Sequence, residues 1–228
     1  METTIGKISA KTIGMLFILA TAMGVLSGSI LWPIFSSPDY LTAMSENADT
    51  VMLATLLNII MAGSVVAIAV VFFPILKRTH ETLAYAFFAA RIIEGITLAI
   101  AGIVWLSLVS LGHEFVQAGL PDASYSQTLA DMMQSFSTSV FTLGAEIVFG
   151  ISAVILNYIL LRAGLVPKVI SIWGLIGGML LLLLGAMKVL GIDVAAVEIA
   201  FTVPIALNEM VLAVWLIFKG LNISAQNI

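Results

Sequence analysis

The chain has 228 residues, of which 61% are hydrophobic and only 10% charged, with a mean hydropathy of +1.16, more apolar than a soluble domain of this size. No segment outside the apolar runs is long enough to fold alone, so residues 1–228 are expected to form one polytopic, all-α transmembrane bundle with no soluble enzyme or nucleic-acid module attached. The net charge of -4 says little about partners, because its placement matters more than its sum, and the absence of Cys excludes disulfides, thiolate metal sites and thiol nucleophiles.

A helix needs roughly 20 apolar residues to cross the hydrocarbon core. Six windows qualify, near 12–32, 50–76, 82–111, 135–161, 168–188 and 197–218. The first follows Lys7 and Lys11 in the manner of a secretory signal, but at about 21 residues it is longer than an h-region and is read as an uncleaved span. After it, Ser37-Pro38-Asp39 places a capping Ser, an N1 Pro and a first-turn acid in order, predicting a short surface helix. Lys77 to Glu81 is short enough to force spans two and three into an antiparallel hairpin. Between spans three and four, Thr128 and Asp131 have capping-box spacing, predicting a second surface helix. Arg162 to Lys168 is another tight turn, with Gly164 as helix C-cap and Pro167 preventing continuation. Pro204 removes a hydrogen bond to the carbonyl of Ala200 and predicts a bend in the sixth span.

If the chain crosses six times, Lys7, Lys11, Lys77, Arg78, Arg162, Lys168 and Lys219 share one side, seven of the nine basic residues. Lys188 falls at the other face. The positive-inside rule makes the basic side the cytoplasm, with both termini there. Asp39, Glu46, Asp49, Glu114, Asp122, Asp131 and Asp193 then collect outside. His80 and His113 lie near opposite faces, which argues against a multi-His metal centre, and no nucleotide or cofactor motif interrupts the spans. Small-residue spacings, Gly24 to Gly28, Gly95 to Ala99 and Gly174 to Gly178, let helices approach closely within the chain or between copies.

Arg91, Glu94, Glu146 and Glu209 are ionisable groups inside the spans. Each costs at least about 2.5–3.5 kcal/mol near the bilayer centre unless it is buried against partners or lines a wet cavity. Arg91 and Glu94, three apart, share a helix face. Counted at about 1.5 Å per residue from the cytoplasmic edge, Arg91, Glu94 and Glu209 lie about 14, 18 and 15 Å deep and Glu146 about 22 Å, so all four are expected to meet near mid-membrane. Asn208 beside Glu209, Asn157 and Tyr158 on the fourth span and Asn58 on the second add hydrogen-bonding groups. One cation against three carboxylates leaves a formal residual of minus two, to be neutralised by protons, a bound cation or a cationic ligand.

The strings Ala90-Arg91-Ile92-Ile93-Glu94, Gly144-Ala145-Glu146-Ile147-Val148-Phe149-Gly150, Asn157-Tyr158 to Gly178, and Asn208-Glu209-Met210 through Trp215 to Gly220 together resemble the prokaryotic integral-membrane family called domain of unknown function 4386. The resemblance covers nearly the whole chain. It implies a small multi-helix membrane protein of a bacterium or archaeon and supplies no activity. The acids and the arginine singled out by charge lie within the matching strings.

The expected function is therefore an intramembrane site for a proton, cation or small molecule, used in transport or, alternatively, by a non-transporting helper or sensor that binds a lipid or hydrophobic ligand. Spans three and six, with Glu94 and Glu209, would be rough counterparts if the halves form an inverted repeat. An intramembrane enzyme would need carboxylates as acid and base, and no Ser-His or Asp-x-x-Asp set accompanies them. A third reading is that the charges lock helices together.

Overall fold

In lipid a chain must satisfy its backbone hydrogen bonds internally, so long apolar segments become helices. The computed structural model describes residues 2–118 and 123–222, with side chains for 9–117 and 125–222. Its helices are α1 (Glu2–Phe35), α2 (Tyr40–Glu46), α3 (Ala48–Lys77), α4 (Glu81–Ala118), α5 (Ala123–Phe141), α6 (Phe149–Ala163), α7 (Lys168–Val189) and α8 (Glu198–Phe218). A π-helical segment, Thr142–Val148, joins α5 to α6. Among the described residues six stretches are long and apolar enough to span a membrane: Ser9–Phe35, Ala48–Lys77, Glu81–Gln117, Tyr125–Ala163, Lys168–Val189 and Glu198–Phe218. Five of them extend the expected windows, and the last, Glu198–Phe218, starts one residue inside its window of 197–218. Asp122 and the side chains of Lys7 and Ser124 lie outside the described residues.

The two tight turns form as expected. Gly164 adopts φ 62°, donates its N–H to Leu161 O at 3.3 Å, and lets Leu165 N–H reach Leu160 O at 3.1 Å. That is a Schellman end, which only a left-handed residue permits. Pro167 then precedes the first residue of α7. We call the end of the bundle with this turn and the 78–80 turn the hairpin end, and the opposite one the α2 end.

At the α2 end two local expectations change. The short helix forms, but its cap is Asp39, whose carboxylate accepts from Thr42 N–H at 3.4 Å, rather than Ser37. Starting at Tyr40 places Tyr40, Leu41 and Met44 on one buried stripe, and Asp caps as well as Ser. Thr128 and Asp131 begin no separate helix; both lie inside α5. Asp131 is instead held across the fold, accepting from Tyr40 Oη at 2.8 Å and from Gln127 Nε2 at 3.1 Å. Burial, and then the bond to Asp131, raise the Tyr40 phenol above its ordinary pKa. The hydroxyl therefore stays a donor at every physiological pH and ties α2 to α5.

Packing orders the spans as a ring. α3 packs on α4, α1 on α3, α8 on α1, α7 on α8, α6 on α7, and α6 returns to α4. α5 lies on α4, and the π segment touches both α4 and α7. In the hairpin half an apolar core that includes Phe72, Leu76, Phe87, Leu160 and Leu216 fills the ring. In the α2 half, Leu31, Leu41, Met44, Val51 and Leu108 pack α1, α2, α3 and α4 together. Pro204 sits in the second turn of α8, which runs as one helix from Glu198 to Phe218.

Two glycines allow close approaches beside the cavity and the charged turn of α4. A Cβ on Gly177 of α7 would lie 2.9 Å from Ile205 N and 3.0 Å from Ile205 Cα of α8. A Cβ on Gly144 would overlap the Thr97 hydroxyl of α4. That hydroxyl donates to Glu94 O at 2.8 Å, so the π segment is seated against the turn of α4 that carries Glu94.

Candidate intramembrane ligand site

Arg91 and Glu94 stand one helical turn apart on the face of α4 that looks into the ring. Arg91 Nη1 lies 3.3 Å from Glu94 Oε2 and 3.5 Å from Oε1. Its Nη2 lies 3.3 Å from Glu209 Oε1 on α8, across the ring. The guanidinium is 2% exposed and sits among three rings, 4.9 Å from the centre of Phe149, 5.6 Å from Phe87 and 5.9 Å from Phe17. A planar, weakly hydrated cation suits this place: two edges meet carboxylates and a face meets π-clouds. Its Nε is buried without a hydrogen-bond partner.

Glu146 does not join the three. It belongs to the π segment and meets Lys188 Nζ of α7 at 2.5 Å, while the same ammonium lies 2.6 Å from Glu198 at the start of α8. Counted along the helices, Glu146 is about two turns nearer the α2 end than Glu209. Lys188 reaches it because helical side chains lean toward the N-terminus of their own helix. The N-terminus of α7 is at the hairpin end, so a lysine near the other end of α7 leans inward. Sequence reasoning counted Lys188 only as a charge at the far face and passed over Glu198. The lean of a terminal lysine was the signal available for the first, and the first-turn position of an acid on α8 for the second.

The three members of the first group, and Glu146 and Glu198 of the second, border one cavity of about 650 Å³, which Lys188 does not line. Its walls are mostly apolar, from Phe17 to Phe35 on α1 and Met61, Val65 and Ile68 on α3. Arg91, Glu94 and Glu209 form its floor at mid-bundle; Glu146 and Glu198 stand higher on the α5–α8 side. Of its lining residues Trp32, toward the α2 end, is 74% exposed and Val25, two turns lower on α1, 62%, whereas the floor rests on the apolar core of the hairpin half. The volume falls in the range of small-molecule sites, about 300–1,000 Å³.

The other polar groups expected near the site are used elsewhere. Asn58 borders the cavity but donates to Leu98 O at 2.7 Å. Asn157 donates to Ala153 O on its own helix at 2.9 Å, with its Oδ1 unpartnered against Gly174. Asn208 turns from Glu209 toward α7 and donates to Ile170 O at 2.7 Å. Tyr158 is 42% exposed on the outside of the bundle. None of Asn157, Tyr158 and Asn208 lines the cavity. Among the described residues no three His, Cys, Asp or Glu side chains are grouped to hold a metal ion.

No curated protein and no solved structure matches this chain. A family model described as Domain of unknown function (DUF4386) matches residues 12–220, a stretch that contains all six spans but the outermost turn of the first, and every residue of both charged groups. The chain therefore belongs to that membrane family.

Proposed function

We propose that this six-span membrane protein binds a small amphipathic molecule inside the bundle, with Arg91, Glu94, Glu146 and Glu209 forming the polar part of the site. One observation carries the reading: a mostly apolar cavity of about 650 Å³ has an ion-paired floor on the axis of a helix ring. A lock between helices requires the ion pairs but not the space. An apolar body would rest against α1 and α3 while its polar group meets the carboxylates. With the hairpin half filled by side chains, ligand enters and leaves at the α2 end in this conformation, as in a receptor or in one access state of a carrier.

Gly28 provides a test that leaves the charges untouched. It lines the cavity, and an added Cβ there meets nothing within 4 Å. Gly28→Leu should occupy part of the space while keeping the thermal stability of the parent, since Gly in a helix costs about 1 kcal/mol relative to a helix former. Tetraphenylphosphonium, triphenylphosphine oxide and tetraphenylborate are a cation, a neutral molecule and an anion with similar aromatic bodies. Calorimetry in detergent, with empty micelles subtracted, should find binding of at least one of them, weakened about tenfold or more by Gly28→Leu. Binding of none, or an unchanged affinity in the variant, would sink the reading.

The hairpin end is assigned to the cytoplasm, because Lys11, Lys77, Arg78, Arg162, Lys168 and Lys219 lie there and Lys188 at the other end. The cavity then opens outward from the cell membrane. Ser36→Cys, exposed at the α2 end, should react with an impermeant thiol reagent on intact cells. Reaction only after permeabilisation reverses the orientation and with it the side from which ligand enters.

A further inference from the structure

We infer that the ligand of this cavity is an organic cation with an apolar body, and that Lys188 is a tethered competitor for the same carboxylates. The inference rests on the reading of the cavity as a ligand site and adds the class of molecule. Its first support is a charge count over the five charged groups that line the cavity and the lysine paired to two of them: Arg91 and Lys188 face Glu94, Glu146, Glu198 and Glu209, a formal minus two. Such a residual is costly where water is scarce, and a cation entering the cavity relieves it.

The second support is what the cavity leaves unbonded. Several of its donors are taken by the protein itself: Ser27 Oγ donates to Ala54 O, Asn58 Nδ2 to Leu98 O, Thr138 Oγ1 to Gln134 O and Trp105 Nε1 to Ser137 Oγ, and the neutral side chains of Thr21, Gln134 and Thr202 add to the polar lining. Both Nη atoms of Arg91 are engaged, and its unpartnered Nε is enclosed among the rings. Acceptors remain. Glu209 gives only Oε1 to Arg91 and is 16% exposed, whereas Glu146 Oε2, unpartnered, is as enclosed as Arg91 Nε. Carboxylate oxygens without donors, beside apolar and aromatic walls, fit a cation and repel an anion.

Lys188 supplies the third. Its ammonium already sits where the carboxylates of Glu146 and Glu198 converge, on a flexible stem rooted in the last turn of α7. A ligand cation would take this place, or the free oxygen of Glu209, by the same attraction. Removing the lysine charge therefore vacates a cation site, whereas removing a carboxylate deletes one.

The three aromatic probes decide it. Tetraphenylphosphonium should bind at least about tenfold more tightly than tetraphenylborate. Lys188→Met should tighten tetraphenylphosphonium about tenfold, Glu209→Gln and Glu146→Gln should weaken it about tenfold, and none of the three should change triphenylphosphine oxide more than about twofold. A gain of affinity cannot come from a misfolded variant. If the neutral or anionic probe binds as well as the cation, or if Lys188→Met leaves the cation unchanged, the inference fails while the cavity remains a ligand site. If no probe binds, both readings fall.

Discussion

Arg91→Ala should cost about 3–5 kcal/mol of stability, because it leaves the Glu94 and Glu209 carboxylates buried without their cation. It also removes the group that three phenylalanine rings surround. The loss belongs to the broken set rather than to missing attraction, since a buried ion group replaced whole by apolar residues is often neutral. Arg91→Met combined with Glu94→Leu should recover part of it, and adding Glu209→Leu should recover most. Thermal unfolding of the purified protein, arranged as a mutant cycle, gives the coupling directly. Contacting charges couple by about 0.5–3 kcal/mol, so strictly additive losses would mean that the pairing across the ring does not operate.

Gly177→Val should cost about 3 kcal/mol and loosen α7 from α8, the upper end of what overpacking usually brings. Its obstacle is the backbone of Ile205, at 2.9 and 3.0 Å from the new Cβ, and a backbone in mid-helix has no rotamer to escape into. Gly24→Ala is the control. There the nearest atom is the Met61 sulfur at 2.8 Å, the mobile part of an unbranched side chain, and the cost should stay below about 1 kcal/mol. Equal losses in the two variants would show that crowding at the α7–α8 seam is relieved by movement of the whole helix. Because Ile205 also borders the cavity, Gly177→Val should weaken probe binding as well.

The six spans, the Schellman turn at Gly164 and the meeting of Arg91 with Glu94 were legible in the residues themselves. Each follows from a local or one-dimensional rule: the length of an apolar run, the left-handed residue after a helix, the i,i+3 spacing of opposite charges. Depth counting also brought Glu209 to the level of Arg91, because straight helices convert residue number into height. The cap at Asp39 and the continuous α5 were misread for the opposite reason. A capping pattern states what a short segment favours alone, whereas burial of the Tyr40 stripe and the grip of Tyr40 on Asp131 are settled by contacts between elements distant in sequence.

Only the tertiary structure decided which charge belongs to which partner. Sequence placed Glu146 in the membrane, but its π segment, about two turns above Glu209, puts it beside Lys188, and nothing in the spacing of Thr142–Val148 foretells a π turn. Asn208, adjacent to Glu209 in sequence, points to α7 instead, since neighbouring residues on a helix face about 100° apart. The existence of the cavity was likewise hidden. Apolar residues that face lipid, core or an internal space read alike along the chain, and the order in which six helices close into a ring is what separates them.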